Sequence, residues 1–125
     1  MATSRKRDRI REERIAMTIV VDAYDAEEQA MGWYDHLESQ LRFPFVARCI
    51  RKRAISPLQV NDEVEVVGMP PEEECESEMF VTIRWRNHKF AVPLAQLRPI
   101  GNDAPGTREA IEDWHYWDAM GYRFR

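Results

Sequence analysis

Cysteine is scarce in this chain: 125 residues carry only Cys49 and Cys75, with no C-x-x-C spacing. That excludes the disulfide framework of a small secreted domain, and soft ligands are too scattered for a structural zinc site. A reducing, cytoplasmic compartment is the expectation. Also missing is any apolar run near the ~20 residues that span a bilayer. No signal-peptide core occurs at the start, where Arg, Lys and Glu dominate residues 1–14. No membrane association is expected. Catalytic machinery is lacking too, since an enzyme needs a nucleophile with its base, or a separated acid and base. His36, His88 and His115 fall on three different predicted elements. Cys49 lies on the apolar side of a predicted strand. Cys75 sits among Glu72, Glu73, Glu74, Glu76 and Glu78, which are expected to raise its thiol pKa and blunt it. The expectation is a protein without catalytic activity.

What is abundant is carboxylate, unevenly placed. The net charge is -4, yet residues 1–15 carry six basic side chains against three acidic ones, so the remaining body holds a charge of -7. From residue 22 to residue 38 there are six carboxylates and no Lys or Arg; from residue 62 to residue 78 there are eight, again with none. Such blocks repel themselves unless a cation or a partner compensates them. The basic N-terminus is a candidate for phosphate contact. A pI near 5.4 and the interleaved Glu12 and Glu13 instead favour a solvated helix or tail, and no nucleic-acid partner is expected.

Residues 7–21 read as helical, with β-branched residues crowding the last six. Asp25 with Glu28 makes a capping box, and Ala26, Ala30, Trp33, Leu37 and Leu41 follow at helical spacing. That helix must stop before Pro44. From Phe45 the period becomes twofold: Phe45, Ala47 and Cys49, then Val64 and Val66, then Met79, Val81, Ile83 and Trp85. Asn87-His88 is the expected tight turn into the next strand. Residues 92–97 read as a strand and a short 3₁₀ turn before a last strand at 98–100. Residues 102–106 read as a linker and Thr107 as the N-cap of a final helix, which Gly121 ends. On that helix Ala110, Ile111, Trp114, Trp117 and Asp118 share one side; Glu109, Glu112, Asp113 and Tyr116 share the solvated one. Trp33, Tyr34, Trp85, Trp114 and Trp117 have the periodicity of core packing. The predicted fold is α+β, a small SH3-like antiparallel barrel flanked by N-terminal helices and a C-terminal helix. It forms a single domain over residues 1–125: helical 7–42, barrel 45–100, C-terminal helix 107–120.

Clustered carboxylates suit Ca²⁺, a hard cation that takes six to eight oxygen ligands. The loop after Gly68-Met69-Pro70-Pro71 offers Glu72, Glu73, Glu74, Glu76 and Glu78, while Asp35 and Glu38 lie three apart on the preceding helix. The candidate metal ligands are therefore Asp35, Glu38, Glu72, Glu73, Glu74 and Glu76. No EF-hand pattern is present. The alternative stays open: a solvated acidic face, or an acidic protein-interaction module with no specific metal.

Longer words point the same way. Val21-Asp22-Ala23-Tyr24, Glu28-Gln29-Ala30-Met31-Gly32-Trp33-Tyr34 and Phe43-Pro44-Phe45 open the series. Ile55-Ser56-Pro57-Leu58, Pro71-Glu72-Glu73-Glu74-Cys75, Ala91-Val92-Pro93-Leu94 and Ile111-Glu112-Asp113-Trp114 continue it. Together they resemble the CcbP-type calcium-binding proteins first associated with cyanobacteria, over roughly residues 11–124. The resemblance implies a compact α/β protein that binds Ca²⁺ through acidic side chains without an EF-hand, in intracellular buffering or calcium signalling. Two features depart from the pattern: Ser39 follows Glu38 where a second carboxylate is expected, and residues 84–89 are more basic.

Overall fold

The structure, a computed structural model, describes residues 7–101 and 104–124. Arg5, Lys6 and the first two positions of the expected linker lie outside the described residues.

Helix α1 (Arg9–Arg14) starts at Asp8, whose carboxylate accepts the Arg11 amide at 2.9 Å. The crowded continuation is not α-helical: Ile15–Ile19 winds into a π-helical turn, and the Thr18 hydroxyl donates to the Arg14 carbonyl. This is the local competition expected of β-branched and hydroxyl residues. Helix α2 (Ala26–Gln40) begins at the anticipated cap, where Asp25 accepts the Glu28 amide at 2.8 Å and Glu28 accepts the Tyr24 amide at 2.9 Å.

Five strands follow: β1 (Phe45–Cys49), β2 (Glu63–Gly68), β3 (Phe80–Trp85), β4 (His88–Pro93) and β5 (Leu97–Pro99). All pair antiparallel in the order β4-β3-β2-β1-β5. The β3–β4 turn falls one residue earlier than predicted, at Arg86-Asn87, with Trp85 opposite His88. Both turn residues have positive φ (52° and 67°), the twist that suits a two-residue hairpin. The Arg86 guanidinium lies 4.4 Å from the Trp85 ring centroid.

The expected barrel is only partly met. Its strand order and the 3₁₀ turn Leu94–Gln96 between β4 and β5 are present, but hydrogen bonding leaves β4 and β5 as two edges of an open sheet. That sheet cannot be flat. Four strand spacings put its edges about 19 Å apart, whereas the chain from Pro93 to Leu97 reaches at most about 14 Å. It must curl.

Helix α3 (Pro105–Ala119) starts two residues before the predicted cap, with Pro105 in its first turn. Thr107 does not cap it. Buried instead, its hydroxyl accepts the Arg42 amide at 2.9 Å and donates to the Gln40 carbonyl at 3.3 Å, stitching α3 to the end of α2. Gly121 closes α3 at φ 79°: its amide donates to Asp118 and that of Tyr122 to Trp117, with the Trp117 and Tyr122 rings 5.0 Å apart. Trp33 of α2 meets Trp114 of α3 edge-on at 5.0 Å, and both are buried with Leu37, Val66, Val81 and Ile83.

A second expectation about α3 is overturned. Asp113 is not on a solvated face but 1% exposed, gripped by Arg11 Nη1 at 2.9 Å and by Arg14 Nε and Nη2 at 3.1 and 2.7 Å. The basic N-terminal segment is thus partly structural, and clamps α1 onto α3.

Candidate metal centre

The acidic loop is set by its prolines and by one sulfur. Pro71 is extended (φ -55°, ψ 146°) and its carbonyl accepts the Glu74 amide at 2.9 Å, opening the 3₁₀ turn Glu72–Cys75. Cys75 turns inward, fully buried, and its Sγ accepts the Phe80 amide at 3.3 Å. Burial, more than its acidic neighbours, pushes the Cys75 thiol up to about 11; Glu74 and Glu78 add to the shift and the Phe80 amide opposes it. The predicted blunting holds, but its main cause is desolvation.

With Cys75 anchored, the glutamates are left outside. Glu72, Glu73 and Glu76 face α2 across a depression of about 440 Å³, opposite Glu27 and Tyr34. The Tyr34 hydroxyl donates to the Pro70 carbonyl and so ties helix to loop. Burial is the first cause of the raised Tyr34 pKa, and the negative charge of Glu38 is the second, with smaller effects from Cys75, Glu72 and Glu73. Carboxylates of the helix and of the loop therefore act on one phenol.

Of the six expected residues, Glu72, Glu73 and Glu76 line the depression. Glu38, Asp35 and Glu74 do not line it and are exposed, though the charge of Glu38 acts on Tyr34. Helical geometry explains Asp35, which sits one residue, about 100°, around from Tyr34. The same geometry reveals Glu27, which the sequence reading passed over: positions 27, 34 and 38 lie seven and four apart, on one face. Glu78 is removed from the set by Arg53, which grips it bidentately at 3.1 and 2.6 Å. Ser39 donates to the His36 carbonyl at 2.9 Å.

The donor chemistry, oxygen only, fits a hard cation. The positions are not pre-assembled: among the described residues no three His, Cys, Asp or Glu side chains converge closely enough to hold a metal ion. Nor, among the described residues, is any helix long and apolar enough to cross a membrane.

A curled antiparallel sheet packed on helices, with an oxygen-only acidic depression, defines a small carboxylate-rich α+β protein suited to a hard cation. The chain belongs to the CcbP family, whose model, described as calcium binding, matches residues 13–118. Two solved structures are similar across nearly the whole chain. The crystal structure of Anabaena CcbP is 40% identical, covering 98% of this chain and 100% of its own, with a TM-score of 0.85. A calcium-binding protein in the calcium-binding form is 39% identical, covering 94% of this chain and 96% of its own, with a TM-score of 0.82. No curated protein matches the chain.

Proposed function

We propose that this chain binds Ca²⁺ and serves as an intracellular buffer or sensor without catalysing a reaction. The observation that carries the reading is the face-to-face placement of Glu72, Glu73 and Glu76 against Glu27 and Tyr34, with the charge of Glu38 acting on the same phenol, beside a similar structure in calcium-binding form. Glu72, Glu73, Glu76, Glu38 and Glu27 are the ligand candidates; Asp35 and Glu74 add charge to the surroundings. Because the donors are exposed and not yet converged, binding entails rotation of glutamate side chains toward the ion. That favours Ca²⁺ over Mg²⁺, since Mg²⁺ demands a near-ideal octahedron and sheds water reluctantly. Ser39 in place of a carboxylate lowers the charge beside Glu38 and with it the affinity. Two buried free thiols, Cys49 and Cys75, support a reducing, cytoplasmic setting.

The different-class reading, an acidic surface that docks a basic protein without specific metal, draws support from the lack of three converged donors among the described residues. Titration calorimetry on chelator-stripped protein separates the two. Saturable Ca²⁺ binding that excess Mg²⁺ does not displace is the expected result. Weak, equal responses to both ions would leave only charge screening and favour the docking surface.

A further inference from the structure

The chain carries a second cleft, of about 690 Å³, that shares no lining residue with the acidic depression and has the opposite chemistry. It lies between the start of α1, strand β5 and one face of α3. Arg7, Arg11, Arg98 and Arg108 all line it, although the whole chain has a net charge of -4. Among the described residues two carboxylates line the same cleft, Asp8 and Glu112, and both already face Arg11, at 3.4 and 3.9 Å. Arg98 is exposed, and no carboxylate among the described residues pairs with it. His115, also on the lining, ties α3 to the Leu97 carbonyl at 2.7 Å. Burial is the main reason its pKa is lowered; the Leu97 hydrogen bond and Asp118 oppose the shift, and Arg51 and Arg98 deepen it.

Arg7 also lies 3.9 Å from Glu12 and Arg11 2.9 Å from Asp113, yet the four cations outnumber the two carboxylates among the described lining residues. An excess of one sign of charge in a cleft concentrates counter-ions. Guanidiniums present a planar fork that matches phosphate oxygens two at a time. The volume lies within the range of small-molecule sites, and Ile111 and Pro99 offer an apolar wall beside the cations. We propose that this cleft binds a small, multiply charged, phosphate-bearing molecule. The site is separate from the calcium reading and stands or falls without it.

Inorganic pyrophosphate is the probe, titrated calorimetrically into the full chain stripped of divalent cations, at constant ionic strength. Saturable binding with one site per chain is expected. Arg98→Gln should weaken it at least tenfold, with the melting temperature and the Ca²⁺ titration unchanged. Arg7→Gln, whose side chain is 72% exposed, gives the same readout through a second residue should Arg98→Gln fail to fold. No saturable heat, or unaltered affinity in both variants, would overturn the proposal. Citrate binding as tightly as pyrophosphate would overturn the phosphate assignment.

Discussion

Gly32 sits in the middle of α2, where glycine is less favourable than alanine by about 1 kcal/mol. A Cβ at this position would lie 2.3 Å from the backbone oxygen of Ile19, so the π-helical turn packs against bare backbone. The two effects oppose each other and the steric one is larger, because the obstacle is main chain and not a movable side chain. Gly32→Ala should therefore destabilise the protein by about 1–2 kcal/mol, the upper part of the overpacking range less the helix gain, as read by urea denaturation. A neutral or stabilised variant would show that the turn yields cheaply. Asp113 gives a second residue-scale case. Asp113→Asn leaves Arg11 and Arg14 without their shared carboxylate, though at 22% and 29% exposure both guanidiniums reach water. The loss should be about 2–3 kcal/mol, below the upper range for a fully buried pair. A change under about 0.5 kcal/mol would place the clamp among ordinary surface pairs. Neither residue was legible from periodicity. Position 113 lies within the polar arc of α3, and only the long-range arrival of α1 makes it interior.

At the scale of elements, the sequence was readable mainly where the signal was local, although the β3–β4 turn fell one residue early. The Asp25 capping box, the alternation of β1 to β3 and the Gly121 stop each depend on residues within a few positions, and each appears where expected. Thr107 failed as a cap because a distant partner, the end of α2, competes for its hydroxyl. The acidic site divides in the same way. Its loop glutamates were visible as a run and Glu38 as a helix candidate, whereas Glu27 and Tyr34 required knowing which face of α2 meets the loop. The joint between α3 and β5 carries a pH prediction. His115 on α3 and His36 on α2 both have pKa values lowered, chiefly by burial. Their neighbours act in both directions: Asp118 raises His115 against Arg51 and Arg98, and Asp113 and Glu109 raise His36 against Arg14. With folded values below the ordinary ~6.5, the unfolded chain takes up protons first as pH falls. Stability is then full above about pH 6.5 and declines as pH drops through the lowered folded values. Urea midpoints measured from pH 7.5 to 5 should fall, and His115→Gln, which keeps a donor for Leu97, should flatten the decline. Glu12 acts in a lower window. Hydrogen bonds from Tyr116 and Tyr122 hold its carboxyl below the usual range, so its contribution disappears only at more acid pH.

For the whole molecule the governing quantity is where charge is compensated. Arg11 and Arg14 neutralise Asp113, and Arg53 neutralises Glu78, but among the described residues no Lys or Arg lines the depression where the exposed glutamates face α2. A bound cation stabilises the folded chain by mass action, adding ~2.7 kcal/mol at about 100 times its dissociation constant. In a domain of this size that is a rise of several degrees in melting temperature. Chelator-stripped protein should therefore melt higher with Ca²⁺ than with Mg²⁺ at equal ionic strength. Glu72→Gln/Glu73→Gln should abolish most of that rise and weaken Ca²⁺ binding at least tenfold, while the apo form holds or gains stability because mutual repulsion is relieved. Glu74→Gln should change binding less, since Glu74 does not line the depression. If Glu74→Gln removes the calcium shift and the Glu72/Glu73 pair does not, the ion sits on the other side of the loop. If no variant alters the shift, it lies elsewhere on the acidic surface.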